Sequence, residues 1–168
     1  MTDEQSYREY VAGNLDRLRR TAFLLCGDWH TADDLTSTVL VKLYRHWKRA
    51  QQFENLGAYV RRMLLRAWLD ERRRPWHRRE TSTDVLPDPA GTDATSASDT
   101  DRRLSVLSLL GALPPRRRAV LVLRYFCDLS VEEVAEAMGC SEGTVKSQTA
   151  RALESLRANL GKEEPLWT

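Results

Sequence analysis

The sequence DLSVEEVAEAMGCSEGTVKSQTARALESLRANL, residues 128–160, carries the signals of two helices joined by a tight turn. Ser130 can cap a first helix of about two turns, and Glu133, three residues later, can complete a capping box. Gly139 can adopt the positive φ at which helices commonly end, and Ser141 can cap the next helix. This pattern predicts a helix-turn-helix, although an ordinary helical hairpin with a solvated face carries the same signals.

The second helix of this stretch has an apolar and a polar face. Apolar positions at steps of three and four residues predict the side packed on the domain: Val145, Thr149, Ala152, Leu153, Leu156 and Leu160. In a helix-turn-helix, the N-terminal part of the second helix enters the major groove of DNA. We therefore expect the base-contacting side chains to be Thr144, Lys146, Ser147, Gln148, Ala150 and Arg151.

Residues 1–79 show helical periodicity and no strand pattern. Apolar spacing predicts a first helix from 3 to 25, which Gly27 ends. Thr31 can cap a second helix that extends to about 49, with a buried stripe formed by Leu35, Val39, Leu43 and Trp47. Asn55 can cap a third helix from 56 to about 74, which Pro75 ends.

The remainder of the chain divides into a linker and a second helical domain. The stretch 80–99 is rich in Pro, Gly, Ser, Thr and Asp and cannot bury enough apolar surface to order itself. Further helices are predicted from about 100 to 113 and from Pro115 to about Cys127, the latter directing Val120, Leu121, Leu123 and Tyr125 to the core. We predict an all-α protein of two small helical domains, 1–79 and 100–161, joined by a flexible acidic linker, 80–99.

The amino-acid composition narrows the classes of protein to which this chain can belong. Of the 168 residues, 42% are hydrophobic, which suffices for modest cores. The three cysteines are odd in number and far apart, so we expect buried thiols rather than disulfides or a metal site. The polar N-terminus and the lack of a long apolar run predict a cytoplasmic protein without membrane insertion.

No catalytic arrangement is recognisable in the sequence. His30, His46 and His77 are scattered, and no glycine-rich phosphate loop occurs. No Ser, Cys or carboxylate pair has a catalytic setting. We therefore expect no enzymatic activity, no cofactor and no metal.

A basic segment ends the first domain. It holds eight Arg between positions 61 and 79, beside Tyr59, Trp68 and Trp76. Cations can follow phosphates while rings stack on unpaired bases, so this mixture suits single-stranded nucleic acid. The alternative is a solvated basic face with tryptophans that anchor the core, and we favour this alternative for Trp68, which lies on the apolar face of its helix.

Two parts of the chain resemble the extracytoplasmic-function group of bacterial sigma factors. The string Leu129-Ser130-x-x-Glu133-x-Ala135-x-x-Met138-Gly139-x-Ser141-x-Gly143-Thr144-Val145-Lys146-Ser147 is similar to the promoter-binding region four of that family. The sequence LRRTAFLLCGD at 18–28, followed by Ala32-Asp33-Asp34-Leu35, is similar to the start of region two, especially in the actinobacterial SigE-like subgroup. The two regions occur in family order around the linker.

The resemblance implies an alternative sigma factor whose partners are core RNA polymerase and promoter DNA, and for which an anti-sigma factor is a candidate partner. Polymerase binding falls on Asp33, Asp34, Leu35, Thr38, Val39, Leu43 and Trp47. Contacts to the minus-10 element fall on Asn55, Tyr59, Arg61, Arg62, Arg66, Arg72, Arg73 and Arg74. The helix-turn-helix binds the minus-35 element, with phosphate contacts from Arg116, Arg117, Arg118 and Arg124.

Three positions depart from the family pattern. Ser37-Thr38 replaces a usual Gln-Glu or Gln-Asp pair, and Arg66 stands where Asn is common. Gln148 replaces a frequent Arg; because Gln can pair bidentately with adenine whereas Arg favours guanine, we expect a different promoter preference.

Two other functions are compatible with parts of the sequence. An autonomous helix-turn-helix regulator would explain the C-terminal half alone. A sigma mimic that sequesters an anti-sigma factor would not need the cations Lys146, Arg151 and Arg72 to Arg74.

Overall fold

A computed structural model of the chain describes residues 1–73 and 106–162, which contain helices and no strand. The chain forms two units, 1–86 and 87–168, and both consist of helices wherever the structure describes them. The all-α fold with two small domains is therefore confirmed. The predicted linker 80–99 and the predicted domain limits at 79 and 100 lie outside the described residues.

The described part of the first unit, residues 1–73, contains three long helices and one short one. They are α1, Asp3–Cys26; α2, Trp29–Arg45; α3, Trp47–Ala50; and α4, Leu56–Arg73. Helix α2 packs against both α1 and α4. Helix α1 ends as predicted, because Gly27 has φ 78° and its N–H donates to the Phe23 carbonyl at 2.7 Å.

Helix α2 begins and ends earlier than the sequence pattern indicated. Asp28, rather than Thr31, is its cap, and its carboxylate accepts from the N–H groups of His30 and Thr31. A carboxylate one turn earlier satisfies the unpaired N–H groups at this helix start, so Thr31 lies inside the helix. At the other end, His46 interrupts the predicted single helix and separates α2 from α3.

The apolar faces of these helices form the core of the first unit. Leu35, Val39, Leu43 and Trp47 are at most 5% exposed. They lie among the buried residues of the other two long helices, which include Leu18, Leu25, Val60, Leu64 and Trp68. Burial of one such side chain stabilises the fold by about 1.5–3 kcal/mol. The Trp47 Nε1–H donates to Ser6 Oγ at 2.8 Å and so ties α3 to the start of α1.

The second unit contains the end of α5 (helical residues 106–111), α6, a π-helical turn, α7 and α8. Helix α6 is Pro115–Leu121, with Pro115 in its first turn as predicted. The π-helical turn is Val122–Phe126, α7 is Val131–Met138, and α8 is Glu142–Lys162. Helix α8 packs against α6 and α7, and the enclosed core includes Leu113, Val120, Leu123, Val134, Val145 and Ala152.

The π-helical turn changes which residues face the core. The Cys127 N–H donates to the carbonyl of Val122, five residues earlier, instead of four. Within this wider turn, Tyr125 and Phe126 are 60% and 59% exposed. The prediction that Tyr125 faces the core is therefore wrong, because it assumed an uninterrupted period of 3.6 residues.

Two further properties concern the described residues. Cys26, Cys127 and Cys140 form no disulfide; they are half-buried, whereas buried thiols were expected. None of the helices in 1–73 and 106–162 is long and apolar enough to cross a lipid bilayer.

Candidate nucleic-acid and polymerase interfaces

Local hydrogen bonds form the helix-turn-helix as the sequence predicts. Ser130 Oγ accepts from the Glu133 N–H at 3.1 Å, and Glu133 Oε1 accepts from the Ser130 N–H at 3.2 Å. Gly139 ends α7 with φ 66°. Ser141 Oγ accepts from the Thr144 N–H at 3.1 Å and so caps α8. These caps fix where α8 begins and therefore which residues form its first turns.

Helix α8 has a buried side and an exposed side. Val145 and Ala152 are fully enclosed, and Thr149 Oγ1 donates back to the Val145 carbonyl at 2.7 Å. Leu153 and Leu156 are half-buried. Leu160, predicted on the same face, is 53% exposed. Helical spacing predicts the face on which a residue lies, but it does not tell how far the neighbouring helices extend along α8.

Most of the predicted base-contacting residues lie on the exposed side of the first three turns of α8. Thr144, Lys146, Ser147, Ala150 and Arg151 are all exposed, so this surface presents two cations, two hydroxyl groups and the methyl groups of Thr144 and Ala150. Ser147 Oγ donates to the Thr144 carbonyl at 3.0 Å, which leaves its oxygen lone pairs for other donors.

Gln148 differs from these five residues. It is half-buried, and its Oε1 is enclosed by protein without a hydrogen-bond partner among the described residues.

The four arginines predicted to contact phosphates do not share one environment. Arg116 is exposed, and Arg117 is half-buried. Arg124 is half-buried, donates to the Leu129 carbonyl and lies 5.9 Å from the centroid of the Tyr125 ring. Arg118 is only 6% exposed and its Nε donates to the Leu110 carbonyl at 2.6 Å. We therefore withdraw Arg118 as a phosphate contact, since its guanidinium holds α5 to α6 inside the unit.

Helix α4 carries exposed arginines opposite its buried face. Arg62, Arg66, Arg72 and Arg73 are exposed, whereas Trp68 is 1% exposed and serves the core, as favoured from the sequence. The Arg72 guanidinium lies 5.5 Å from the Trp68 ring centroid, and desolvation lowers its pKa from the ordinary value. An arginine still remains charged at neutral pH. Arg74 lies outside the described residues.

Arg61 is more enclosed than the other arginines of α4. It is half-buried, with an enclosed Nε that has no hydrogen-bond partner among the described residues. Its Nη1 lies 3.2 Å from the position that a Cβ would take on Gly57. Burial raises the pKa of the nearby Tyr10, and the positive charges of Arg61 and Arg17 partly offset this increase.

The residues around the start of α4 form a polar and aromatic corner. Asn55 is exposed, and its Oδ1 accepts from the Ala58 N–H at 2.9 Å, which confirms the predicted cap. The rings of Phe53 and Tyr59 lie 4.9 Å apart at a tilt of 58°. Phe53 is 37% exposed. This corner thus offers aromatic surface beside the cations of α4.

The predicted polymerase-binding residues of α2 and α3 divide into two groups. Asp33, Asp34 and Thr38 are exposed, and Asp33 forms a 2.7 Å ion pair with Arg19. The other four belong to the core and are at most 5% exposed, so they have almost no surface to offer a partner. We therefore correct the prediction for Leu35, Val39, Leu43 and Trp47.

Two exposed residues on the outer face of α2 were not among the predicted site residues. Val41 and Tyr44 are 52% and 54% exposed, although both are large and apolar or aromatic. Val41 lies three residues after Thr38 and therefore on the same face of the helix. Tyr44 contacts Tyr7 edge to face at 5.0 Å, which orients its ring. The sequence already indicated that these two residues are exposed, because both positions fall outside the buried stripe of Leu35, Val39 and Leu43.

Comparison with known proteins agrees with this division into units. The family model described as Sigma-70 region 2 matches residues 10–78, and that described as Sigma-70, region 4 matches residues 103–156. A sigma factor RpoE from Bartonella quintana, solved in complex with the anti-sigma factor NepR, has a TM-score of 0.74. It is 23% identical, and the match covers 95% of this chain and 99% of that one.

Two relatives support the same family. An RNA polymerase sigma-E factor of Streptomyces avermitilis is 38% identical over 92% of this chain and 84% of its own length. The ECF RNA polymerase sigma factor SigE of Mycolicibacterium smegmatis is 32% identical over 94% of this chain and 62% of its own length. The chain therefore belongs to the sigma-70 family of RNA polymerase sigma factors, in the extracytoplasmic-function group.

Proposed function

We propose that this chain is an alternative sigma factor that binds core RNA polymerase and directs it to promoters through minus-35 and minus-10 elements. The observation that carries the proposal is the exposed surface at the start of α8, where Lys146 and Arg151 lie beside Thr144, Ser147 and Ala150. A capped helix whose first turns present cations and small polar groups has the form that enters a major groove. Arg116 and Arg117 are suited to contact the adjacent phosphates.

The first unit supplies the other two contacts in this proposal. The exposed arginines of α4, with Phe53 and Tyr59, combine cations and rings in the way that suits an unpaired minus-10 strand. The outer face of α2 contains Asp34, Thr38, Val41 and Tyr44, and we propose that it binds core polymerase. An exposed apolar centre with polar neighbours is typical of a protein interface.

Three finer statements belong to the same proposal. The protein acts in the cytoplasm, where the polymerase is, and it contributes no enzymatic step of its own. An anti-sigma factor is a further partner, by analogy with the Bartonella sigma factor that was solved with one. Such a partner would compete with core polymerase for the exposed face of α2.

The proposal is tested by run-off transcription with core bacterial RNA polymerase that lacks any sigma factor. Addition of the chain should give specific transcripts from genomic promoter fragments. Arg151→Ala should relax the preference at one base pair of the minus-35 element by roughly 1–3 kcal/mol. Arg157→Ala is the matched control, because Arg157 is exposed on the same helix but lies six residues further along and points elsewhere.

A negative result would have a definite meaning. If the chain neither binds core polymerase nor gives transcripts but still protects duplex DNA alone, it is an autonomous regulator. In that case, the outer face of α2 would need another partner.

A further inference from the structure

The amide group of Gln148 carries an inference about which base this protein recognises, and this inference rests on the proposed function. Gln148 lies on α8 between Thr144, one turn before it, and Arg151, one turn after it. Both of these neighbours are exposed. Gln148 therefore lies along the surface proposed to enter the major groove, yet its Oε1 is enclosed by protein.

A glutamine amide offers two different groups to a base. Its oxygen accepts hydrogen bonds, and its amino nitrogen donates two. Bidentate pairing with adenine requires both groups, because adenine presents N7 as an acceptor and N6 as a donor. With Oε1 enclosed, Nε2 is the group of the Gln148 amide that is left to contact a base.

The orientation of this amide has a physical reason. No donor among the described residues reaches Oε1. Rotating the amide by half a turn would instead place an amino group at this enclosed position, where its two N–H bonds would each need an acceptor. Buried N–H groups without an acceptor are rarer in proteins than under-satisfied carbonyl groups, so the oxygen is the better group to enclose.

We propose that Gln148 is a specificity-determining residue that recognises guanine through Nε2 alone. Guanine presents two adjacent acceptors, N7 and O6, to the major groove, and the two N–H bonds of one amino group can be donated to both. Adenine places its N6 amino group where guanine has O6, so two donors would face each other. The preference expected from the residue type alone, adenine, is thereby reversed.

The test is a selection from duplexes randomised across the minus-35 element, using the full chain bound to core RNA polymerase. Wild-type protein should enrich guanine over adenine about fivefold at one position, near the lower limit for a good base contact. Gln148→Met, which keeps the length of the side chain but removes both polar groups, should abolish that preference and leave the other positions unchanged.

Asn159→Met is the matched control, because Asn159 is also a half-buried amide on α8 but lies three turns, about 16 Å, beyond Gln148 and should not contact DNA. A preference for adenine or cytosine at the position that responds to Gln148→Met would overturn the inference, as would an unchanged sequence ranking. If wild-type holoenzyme enriches no sequence at all, the proposed function itself fails, and the inference fails with it. Thermal melts of both variants will establish that they fold.

Discussion

Ser130 and Glu133 exchange two hydrogen bonds across the first turn of α7, each side chain accepting from the backbone N–H of the other. This reciprocal pair satisfies two N–H groups that a helix start otherwise leaves to water. Because α7 supports α8, the pair also contributes to the position of the proposed DNA-binding surface.

Ser130→Ala should therefore destabilise the second unit by about 1 kcal/mol. Hydrogen exchange of the amides of α7 and α8 in the full chain measures this change within that unit. Ser108→Ala, at an exposed helical position, is the control and should stay within about 0.5 kcal/mol of the wild type. Equal exchange rates in the wild type and Ser130→Ala would show that the capping box does not stabilise α7.

The features that were predicted correctly from the sequence depend on neighbours three or four residues apart. Ser130 with Glu133, Asn55 with Ala58 and the left-handed Gly27 and Gly139 are of this kind. A side chain and a backbone group at such spacing meet whenever a helix starts there. The caps and the boundaries of α7 could therefore be predicted without knowledge of the tertiary structure.

Two of the features that were missed depend on contacts that the local sequence does not specify. Arg118 follows two other arginines, and nothing in that run tells which of the three turns inward to the Leu110 carbonyl. The outward position of Tyr125 follows from a π-helical turn that adds one residue to the helical repeat.

Replacement of Arg118 by alanine should affect stability, whereas replacement of Arg116 should affect DNA binding. Arg118→Ala removes the donor to the Leu110 carbonyl and leaves a cavity, so the second unit should lose about 2–4 kcal/mol of stability. Arg116→Ala should leave stability within about 0.5 kcal/mol and reduce the salt dependence of DNA binding by about one counterion. Hydrogen exchange and holoenzyme binding to promoter DNA at several salt concentrations measure the two effects. A normal stability for Arg118→Ala, with a reduced salt slope, would restore Arg118 as a phosphate contact.

Val41 and Val39 offer a matched pair for the proposed polymerase interface. Val41→Glu places a charge on the outer face of α2, so affinity for core polymerase should fall about tenfold or more while stability changes by about 0.5 kcal/mol or less. Val39→Ala should instead cost about 2 kcal/mol of stability and leave the affinity of the folded protein unchanged. Titration of labelled core polymerase, with thermal melts of each variant, separates the two outcomes. Undiminished affinity of Val41→Glu would remove this face from the interface.

Ionisation of Asp28 should make the stability of the first unit depend on pH. Burial raises the pKa of its carboxyl, but hydrogen bonds from the Thr31 hydroxyl and from the N–H groups of His30 and Thr31 outweigh burial and lower the pKa overall. A carboxyl with a lowered pKa in the folded state stabilises the protein above its unfolded pKa of about 3.9. That contribution is lost as the pH falls through the folded pKa.

Asp28→Asn and Asp28→Ser both keep an oxygen that can cap α2 but remove the ionisable group. Thermal melts between pH 6 and about pH 3 should therefore fall less steeply below about pH 4 for both variants than for the wild type. At neutral pH both variants should be somewhat less stable, since a carboxylate at a helix N-terminus also interacts favourably with the helix dipole. The two replacements differ in shape but share the loss of charge. If the melting temperature of both variants depends less on pH than that of the wild type, the acid sensitivity arises from ionisation of Asp28. Profiles parallel to the wild type would show that the acid sensitivity arises from other carboxylates.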